Sequence, residues 1–567
     1  MEGAVGITGT GIICATGNDT AQVLDSLRKG ESGIAPVKYL STVHSELPVG
    51  EIKLSTEEMK RMLGIPGEAP VSRTSVMGAI AVREAIARSG VKDLARKRVV
   101  LISGTTVGVM DVTEQYHARM KTEPGLQYLP HSNECGRSTQ EIARYAGIPE
   151  ARCCTVCTAC SSALNAIMLG AQMLRSGEAD IVIAGGSEPL SRYHLNGFNS
   201  LMILDSRPCR PFDESRAGLN LGEGAAFVVL EKDPSCALAY VRGSANRCDA
   251  FHQTATSKDG DGAFLAMSVA LEDAGLKPSD IDYVNAHGTA TPDNDSSESA
   301  ALRRVFGDSL PPVSSTKSYT GHTTSAAGSV ETVICVLAMT HDFIPASLGW
   351  SKPFEGGIIP TPGRTGVRLD NVMCNSFGFG GNDSSLVLSR ERPVASRVSL
   401  RDPSEVRTAA CVTVDSDDRL AALKDYMSAM ETRRLSRLMK AALLSAFEAL
   451  GTAGISSPDA IVAATSKGML ELSTRFLDDV EANGEQLLKP TLFMQSTHNT
   501  IASAIAIRTG CHGYNITYSH GDESSEWALR DAHMLLRKGE ARNVLVCEFD
   551  EDPAAPAFRA RTTIYTI

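Results

Sequence analysis

An α/β fold built on largely parallel sheets is the expectation, and three features of the chain support it. Apolar strand-like runs alternate with helix-like stretches from residue 4 onward. The stretch Thr155–Glu188, TVCTACSSALNAIMLGAQMLRSGEADIVIAGGSE, condenses the pattern into one unit: a β-branched run, a helix from Ser161 to Ser176, a stop at Gly177 and a buried strand over Asp180–Ala184. The composition, 43% hydrophobic and 21% charged, is that of a globular chain with a large core. Its 567 residues leave room for roughly three to four average domains or two large ones.

Taken in order, Ala4–Ile13 reads as a strand followed by a Gly-rich turn. Gly9 and Gly11 evoke a dinucleotide fingerprint, but the third glycine is misplaced and no acidic residue closes the unit. Thr20–Gly30 and Ser72–Ser89 read as helices, the second with Val76, Ala79, Ile80, Val82 and Ile86 on one face. Arg98–Ser103 is a buried strand running into the turn Gly104–Gly108, and Gln140–Tyr145 is helical. Ala225–Leu230 and Ile281–Ala286 are strands, and Ala263–Ala274 is a helix. Glu223, between two glycines, is a buried hydrogen-bonded carboxylate or a surface turn residue; a structural role is favoured.

Cys160 stands at the strand-to-helix junction, where unpaired N–H groups and the helix dipole favour a thiolate. Such a thiolate is a nucleophile suited to acyl transfer. The alternatives are a small buried hydrophobe and a metal ligand, since Cys154, Cys157 and Cys160 are spaced like the start of an iron–sulfur run; no fourth Cys with Pro follows. His287, in AHGTATPDND, and His322, in STKSYTGH, each follow an extended run beside glycine, the place of site residues at the carboxyl ends of strands. Lys317 is either a solvated lysine or a charge partner in that pocket. Asn375–Asp383, NSFGFGGND, reads as a Gly/Phe loop that brings backbone N–H groups to a ligand and swings an aromatic ring.

A formal net charge of −11 argues against a nucleic-acid surface and leaves only local basic patches for acidic partners. The 14 cysteines are irregularly spaced, as expected of reduced thiols in a cytoplasmic protein. No apolar run reaches the length of a membrane span, and the N-terminus lacks a targeting pattern.

TACSSA, CRPFD with LGEGA, AHGTATPDND, STKSYTGH with AAG, and NSFGFGG occur in one order over about residues 1–392. Together they resemble the elongating condensing enzymes of the β-ketoacyl-ACP synthase family. The resemblance implies a five-layer thiolase fold of two βαβαβαββ halves, about 1–240 and 241–392. Cys160 matches the acyl-accepting nucleophile, His287 and His322 the pair that promotes malonyl decarboxylation, and Lys317 their supporting lysine. Phe379 matches the aromatic gate, and the N–H groups of Cys160 and Phe379 the oxyanion hole. Thr254, Thr289 and Phe377 are candidate pantetheine or substrate contacts. The implied reaction condenses an acyl thioester with malonyl-ACP, with no metal and no cofactor beyond the carrier's phosphopantetheine. The implied partners are an acyl carrier protein, docked on a local Lys/Arg patch, and a second subunit, as a homodimer or a ketosynthase/chain-length-factor-like assembly.

Three departures bear on the substrate: Asn382–Asp383 where the family often has Thr-Asn, two threonines in Gly104–Gly108, and Asn220 before LGEGA. They leave polyketide, polyene or aryl-primed chains as open as fatty acids.

Residues 393–405 are polar and Pro/Arg-rich, an expected linker, and 406–567 repeat the first half. Arg433–Gly454 parallels Ser72–Gly90, Asp459–Gly468 parallels Arg98–Gly108, and HMLLRKGEARNVLVCEFDE parallels QMLRSGEADIVIAGGSE. Ungapped, this sets Asp522 opposite Cys160; a shift of one or two sets Glu523 or Ser524 there, never a cysteine. The segment resembles the N-terminal part of chain-length-factor-like subunits. A half-fold of this kind is expected to expose an apolar helix layer, and so to pack on the catalytic domain or on another subunit. Two other functions remain: a thiolase-type acyltransferase, which would use a second cysteine as base, and a non-catalytic chain-length partner, which would not need Cys160, His287, Lys317 and His322 intact.

Overall fold

The computed structural model describes residues 3–123, 134–394, 401–552 and 557–567. Hydrogen bonding runs through fifteen strands of one continuous sheet, and these fall into three groups of five with the same internal order. In the first group the spatial order is Arg152–Val156, Val99–Gly104, Ile181–Glu188, Gly224–Lys232, Val5–Cys14. Numbered along the chain this is third, second, fourth, fifth, first. Val99–Gly104 is parallel to both its neighbours, and Gly224–Lys232 is antiparallel to both of its own. The second group repeats the order with Val313–Ser314, Tyr283–Asn285, Asn371–Gly378, Asn382–Ser389 and Ala239–Cys248. The third repeats it with Tyr514–Tyr518, Ala460–Ala464, Asn543–Asp552, Ala557–Thr566 and Arg407–Val414.

The first two groups close into the five-layer fold. Helices Ser162–Ser176 and Ala327–His341 lie between their sheets and touch both, which is why the first of these helices is apolar almost all round. Helices Arg73–Ser89 and Cys135–Ala146 cover the outer face of the first sheet, and Asp261–Ala274 that of the second.

Gly9 and Gly11 are not in a turn. They lie within strand Val5–Cys14, and a Cβ at either would strike the backbone of Arg73–Ser89, at Ala85 and Ala81. They let a helix press directly on a strand. The Asn375–Asp383 segment is likewise mostly strand: Asn371–Gly378 and Asn382–Ser389 form a hairpin, with only Phe379–Gly381 as its turn. Glu223 is buried and structural, paired with Arg73 at 2.5 Å and accepting from the N–H groups of Ile52 and Leu190.

The third group joins the first across their third strands. The Cys157 N–H donates to the Thr517 carbonyl at 2.8 Å, and the Ser519 N–H to the Thr155 carbonyl at 2.9 Å, a reciprocal pair about a local two-fold. The repeat holds in detail. Helix Arg437–Ala453 starts on Ser436 and ends on left-handed Gly454, as Arg73–Ser89 starts on Ser72 and ends on Gly90. The Thr158 N–H reaches Ser162 Oγ at 2.9 Å, and the His520 N–H reaches Ser524 Oγ at 2.7 Å. Glu188 accepts from the N–H groups of Thr106 and Val107 as Asp550 accepts from Ser466 and Lys467. These pairs select the ungapped register, so Asp522 is the counterpart of Cys160.

Among the described residues the expected bare apolar helix layer is not seen. In Ser524–Lys538 the buried side carries Trp527, Ala528, Ala532, Leu535 and Leu536, while Ser525, Glu526 and Arg530 face outward with only Leu529, 37% exposed, among them. The side that a further half-domain would cover is polar, so it needs no cover. Of the expected linker 393–405, residues 395–400 lie outside the described residues; the Arg401 N–H bonds to the Arg537 carbonyl of that same helix.

Candidate active site

Four elements converge on one cavity of about 340 Å³, lined among others by Cys160, His287, His322, Phe377, Phe379 and Thr254. Thr289 lines it as well, so all the sequence-selected side chains except Lys317 meet at its wall.

Cys160 follows strand Arg152–Val156 on a tight crossing in which Ala159 takes φ 51°. Positive φ costs a non-glycine residue energy and marks a constrained turn. Gly378 makes the site possible from the other side, because a Cβ there would sit 2.6 Å from the Thr158 carbonyl. Ser376 Oγ donates to the Cys160 carbonyl at 3.0 Å, fixing the hairpin against the crossing.

The thiolate expected from a helix N-terminus is not the resting state. The helix begins at Ser162, and the N–H groups of Ser161 and Ser162 already bond the Thr158 and Ala159 carbonyls. Cys160 is 6% exposed, and burial pushes its thiol up to about 12 against the pull of Lys317 and a bond from the Phe379 N–H.

His287 follows strand Tyr283–Asn285, its backbone held by Glu298, which accepts from the N–H groups of His287 and Gly288 at 2.8 and 2.7 Å. His322 follows the short helix Lys317–Thr320, its N–H donating to the Asn220 carbonyl at 2.7 Å. The two rings meet edge to face, 5.2 Å between centroids, and Phe377 packs on His287 at 5.7 Å. Lys317 lies behind them, 1% exposed, with Nζ 2.5 Å from Glu331 Oε1 and 3.3 Å from His287 Nδ1. With Lys317 donating, Nδ1 accepts and the ring proton sits on Nε2. Burial, reinforced by the Lys317 charge, holds both imidazoles well below their ordinary 6.5. They are neutral donors at physiological pH.

Several site residues carry no motif signal of their own. Glu331 pairs Lys317 and Glu298 holds the His287 loop, yet each reads in sequence as an ordinary helix glutamate. Phe198 stacks on Phe379 at 5.6 Å, and its only hint is an aromatic near glycine. Asn220, noted as a departure, brackets the chain: Oδ1 accepts from the Cys209 N–H and Nδ2 donates to the Asp205 carbonyl. The described cavity lining includes Asp293 and Asp383 but no Lys or Arg. The only described group of acidic and histidine side chains close enough to share a metal, His117, Asp478 and Glu481, lies outside this cavity.

The beta-ketoacyl synthase N-terminal domain model matches residues 2–235, and the C-terminal domain model matches 238–351. The chain belongs to the beta-ketoacyl synthase family. A second N-terminal domain model matches 409–563, so this ketosynthase carries an extra N-terminal-type half. It is 33% identical to 3-oxoacyl-[acyl-carrier-protein] synthase 2 of Coxiella burnetii, over 68% of this chain and 98% of that one. Among solved structures, the ishigamide ketosynthase/chain length factor aligns at 31% identity and TM-score 0.64, over 69% of this chain and all of that one. The PfaC keto synthase–chain length factor covers the whole of this chain and 78% of its own at TM-score 0.78; at 16% identity it shows the shared fold, extra half included. The ketosynthase is an acyltransferase-type enzyme of fatty acid or polyketide synthesis.

Proposed function

We propose that this ketosynthase performs decarboxylative condensation of an acyl thioester with malonyl-ACP, with Cys160 as nucleophile. The observation that carries the reading is the meeting of Cys160 and two neutral imidazoles at one cavity, with Lys317 behind His287. The acyl group passes from its carrier's sulfur to Cys160 Sγ, whose thiol proton leaves with the carrier thiol. Malonyl-ACP then binds, CO₂ departs, and the enolate oxygen accepts hydrogen bonds from His287 and His322. The enolate carbon attacks the acyl carbonyl, the Cys160–acyl bond breaks with its electron pair on Sγ, which takes up a proton from water to return to the thiol, and a 3-oxoacyl thioester leaves. The N–H groups of Cys160 and Phe379 hold the tetrahedral oxyanion, worth roughly 3–4 kcal/mol per donor. Thr254, Thr289 and Phe377, on the cavity wall, meet the pantetheine arm.

The carrier protein and a cytoplasmic setting belong to the same reading. No described helix is long and apolar enough to cross a membrane. The sheet edge Arg152–Val156 is taken by Tyr514–Tyr518 of the same chain, which supports an assembly of ketosynthase and chain-length-factor-like half within one polypeptide. The deciding experiment is Cys160→Ala against acyl-ACP and malonyl-ACP. Loss of the acyl adduct by intact mass and loss of condensation are expected. Condensation that survives the substitution ends the reading.

A further inference from the structure

The turn that carries the candidate gate, Phe379–Gly381, touches the C-terminal half as well as the catalytic cavity. The Asn499 side chain, 1% exposed, donates through Nδ2 to the Phe379 carbonyl at 3.0 Å. The other face of that peptide is held within the catalytic half, where the Gly380 N–H donates to the Gln253 carbonyl at 2.7 Å. Gly380 and Gly381 take φ 85° and 75°, the freedom a hinge needs, and a Cβ on Gly380 would strike Ser503 Oγ. Ser503 Oγ accepts from Asn382 Nδ2 at 3.2 Å, and Asn382 is one of the positions that depart from the family pattern. The Phe379 ring stacks on Phe198, which packs on Phe493 of the C-terminal half at 5.5 Å.

The internal repeat supplies a control built into the chain. Helix Thr500–Thr509 with its left-handed Gly510 corresponds to Cys135–Ala146 with Gly147, which sets Asn499 opposite Gly136 and Ser503 opposite Gln140. Gly136 lies against His520, beside the C-terminal crossing that carries Asp522 in place of a cysteine. The amide is present only on the side that faces the real gate.

We propose that the C-terminal half is a gate clamp: Asn499, aided by Ser503, holds the Phe379–Gly380 peptide in the closed position and thereby sets access to Cys160. Asn499 is a positioning residue and touches no reacting atom. Opening the gate must break the Asn499–Phe379 bond and slide Gly380 past Ser503. The inference rests on the reading of Phe379 as gate and Cys160 as nucleophile.

The test is the rate of Cys160 alkylation by iodoacetamide in the full chain, followed by peptide mass spectrometry. The exposed Cys236 and Cys411 serve as internal standards, and the thermal midpoint checks folding. Asn499→Ala and the similarly sized Asn499→Leu should each speed Cys160 alkylation about fivefold, the shift one neutral hydrogen bond commands. Ser503→Ala should speed it about twofold, in proportion to its longer bond. A Cys160 rate that is unchanged or slower in the folded variants overturns the clamp. Should an Asn499 variant fail to fold, Ser503→Ala decides alone. Wild-type acyl loading is measured alongside. If Cys160 never takes an acyl group, the functional reading falls whatever the alkylation rates; if it does and the rates do not move, only the clamp falls.

Discussion

Two crossings in this chain have the same backbone plan and opposite fates. At the first, Thr158 to Ser162 turns from strand to helix around Cys160; at the second, His520 to Ser524 makes the same turn around Asp522. Cys160 is buried because the second five-stranded group, with Gly378 and the two histidines, closes over it. Asp522 is exposed, and among the described residues no such group packs over it. The difference teaches that the strand-to-helix turn supplies position only. Burial, neutral donors and the Lys317–Glu331 pair come from the covering half, and they turn a position into a site.

The comparison breaks most readily at the crossings themselves. Cys160→Ala should abolish acyl loading, whereas Asp522→Ala should leave condensation at the wild-type rate; a drop in the second would give the C-terminal crossing chemistry of its own. His287→Ala or His322→Ala should slow malonyl decarboxylation about 10²–10³-fold, the cost of one oxyanion donor. Release of CO₂ from malonyl-ACP measures it, and a change under tenfold would assign the enolate to another group. A pair of equivalent arginines sharpens the contrast in stability. Arg73, buried on Glu223, and Arg437, half-buried on Asp417, occupy matching first positions of their helices. Arg73→Met should cost about 3–5 kcal/mol, because it strands a buried carboxylate. Arg437→Met should cost under ~1 kcal/mol. Urea midpoints of the two variants give the ratio.

The smallest expected effect is one of pH. A histidine titrating near its ordinary 6.5 would take up a proton, and with it a positive charge beside Lys317, as pH falls from 8 to 6. His287 and His322 are held well below that value by burial and Lys317, so the folded site stays neutral and decarboxylation should show no inflection near 6.5. For stability the sign is the opposite of a salt-bridged histidine. The unfolded chain takes up these protons first, so the contribution of the two imidazoles is fully present above the unfolded value and declines as pH falls below it. A decarboxylation profile that loses half its rate at 6.5 would put a protonated histidine in the site.

Much of this site is legible in the linear chain. TACSSA, the two histidine motifs and NSFGFGG name the groups that meet in the cavity, and the repeated helix-to-glycine spacing names the third unit and its register. Those signals are local: capping serines, left-handed glycines and apolar periods depend on neighbours a few residues away. Elsewhere local reasoning misplaced what it saw. Gly9 and Gly11 look like a turn, but the helix that needs their missing Cβ atoms lies some seventy residues downstream. The helix before which Cys160 sits looks like a thiolate stabiliser, but its first N–H groups are spent on the preceding turn and the half that buries the sulfur comes later.

The sequence by itself determined the order of the elements, the repeat and the motifs whose side chains line the cavity, because each is written in residues adjacent along the chain. Only the tertiary structure decided that Cys160 rests as a thiol, that Glu331 pairs the Lys317 side chain and Glu298 the His287 backbone, and that Asn499 reaches the Phe379 carbonyl. Burial and long-range hydrogen bonds belong to pairs of surfaces. No single stretch contains them until distant stretches have met.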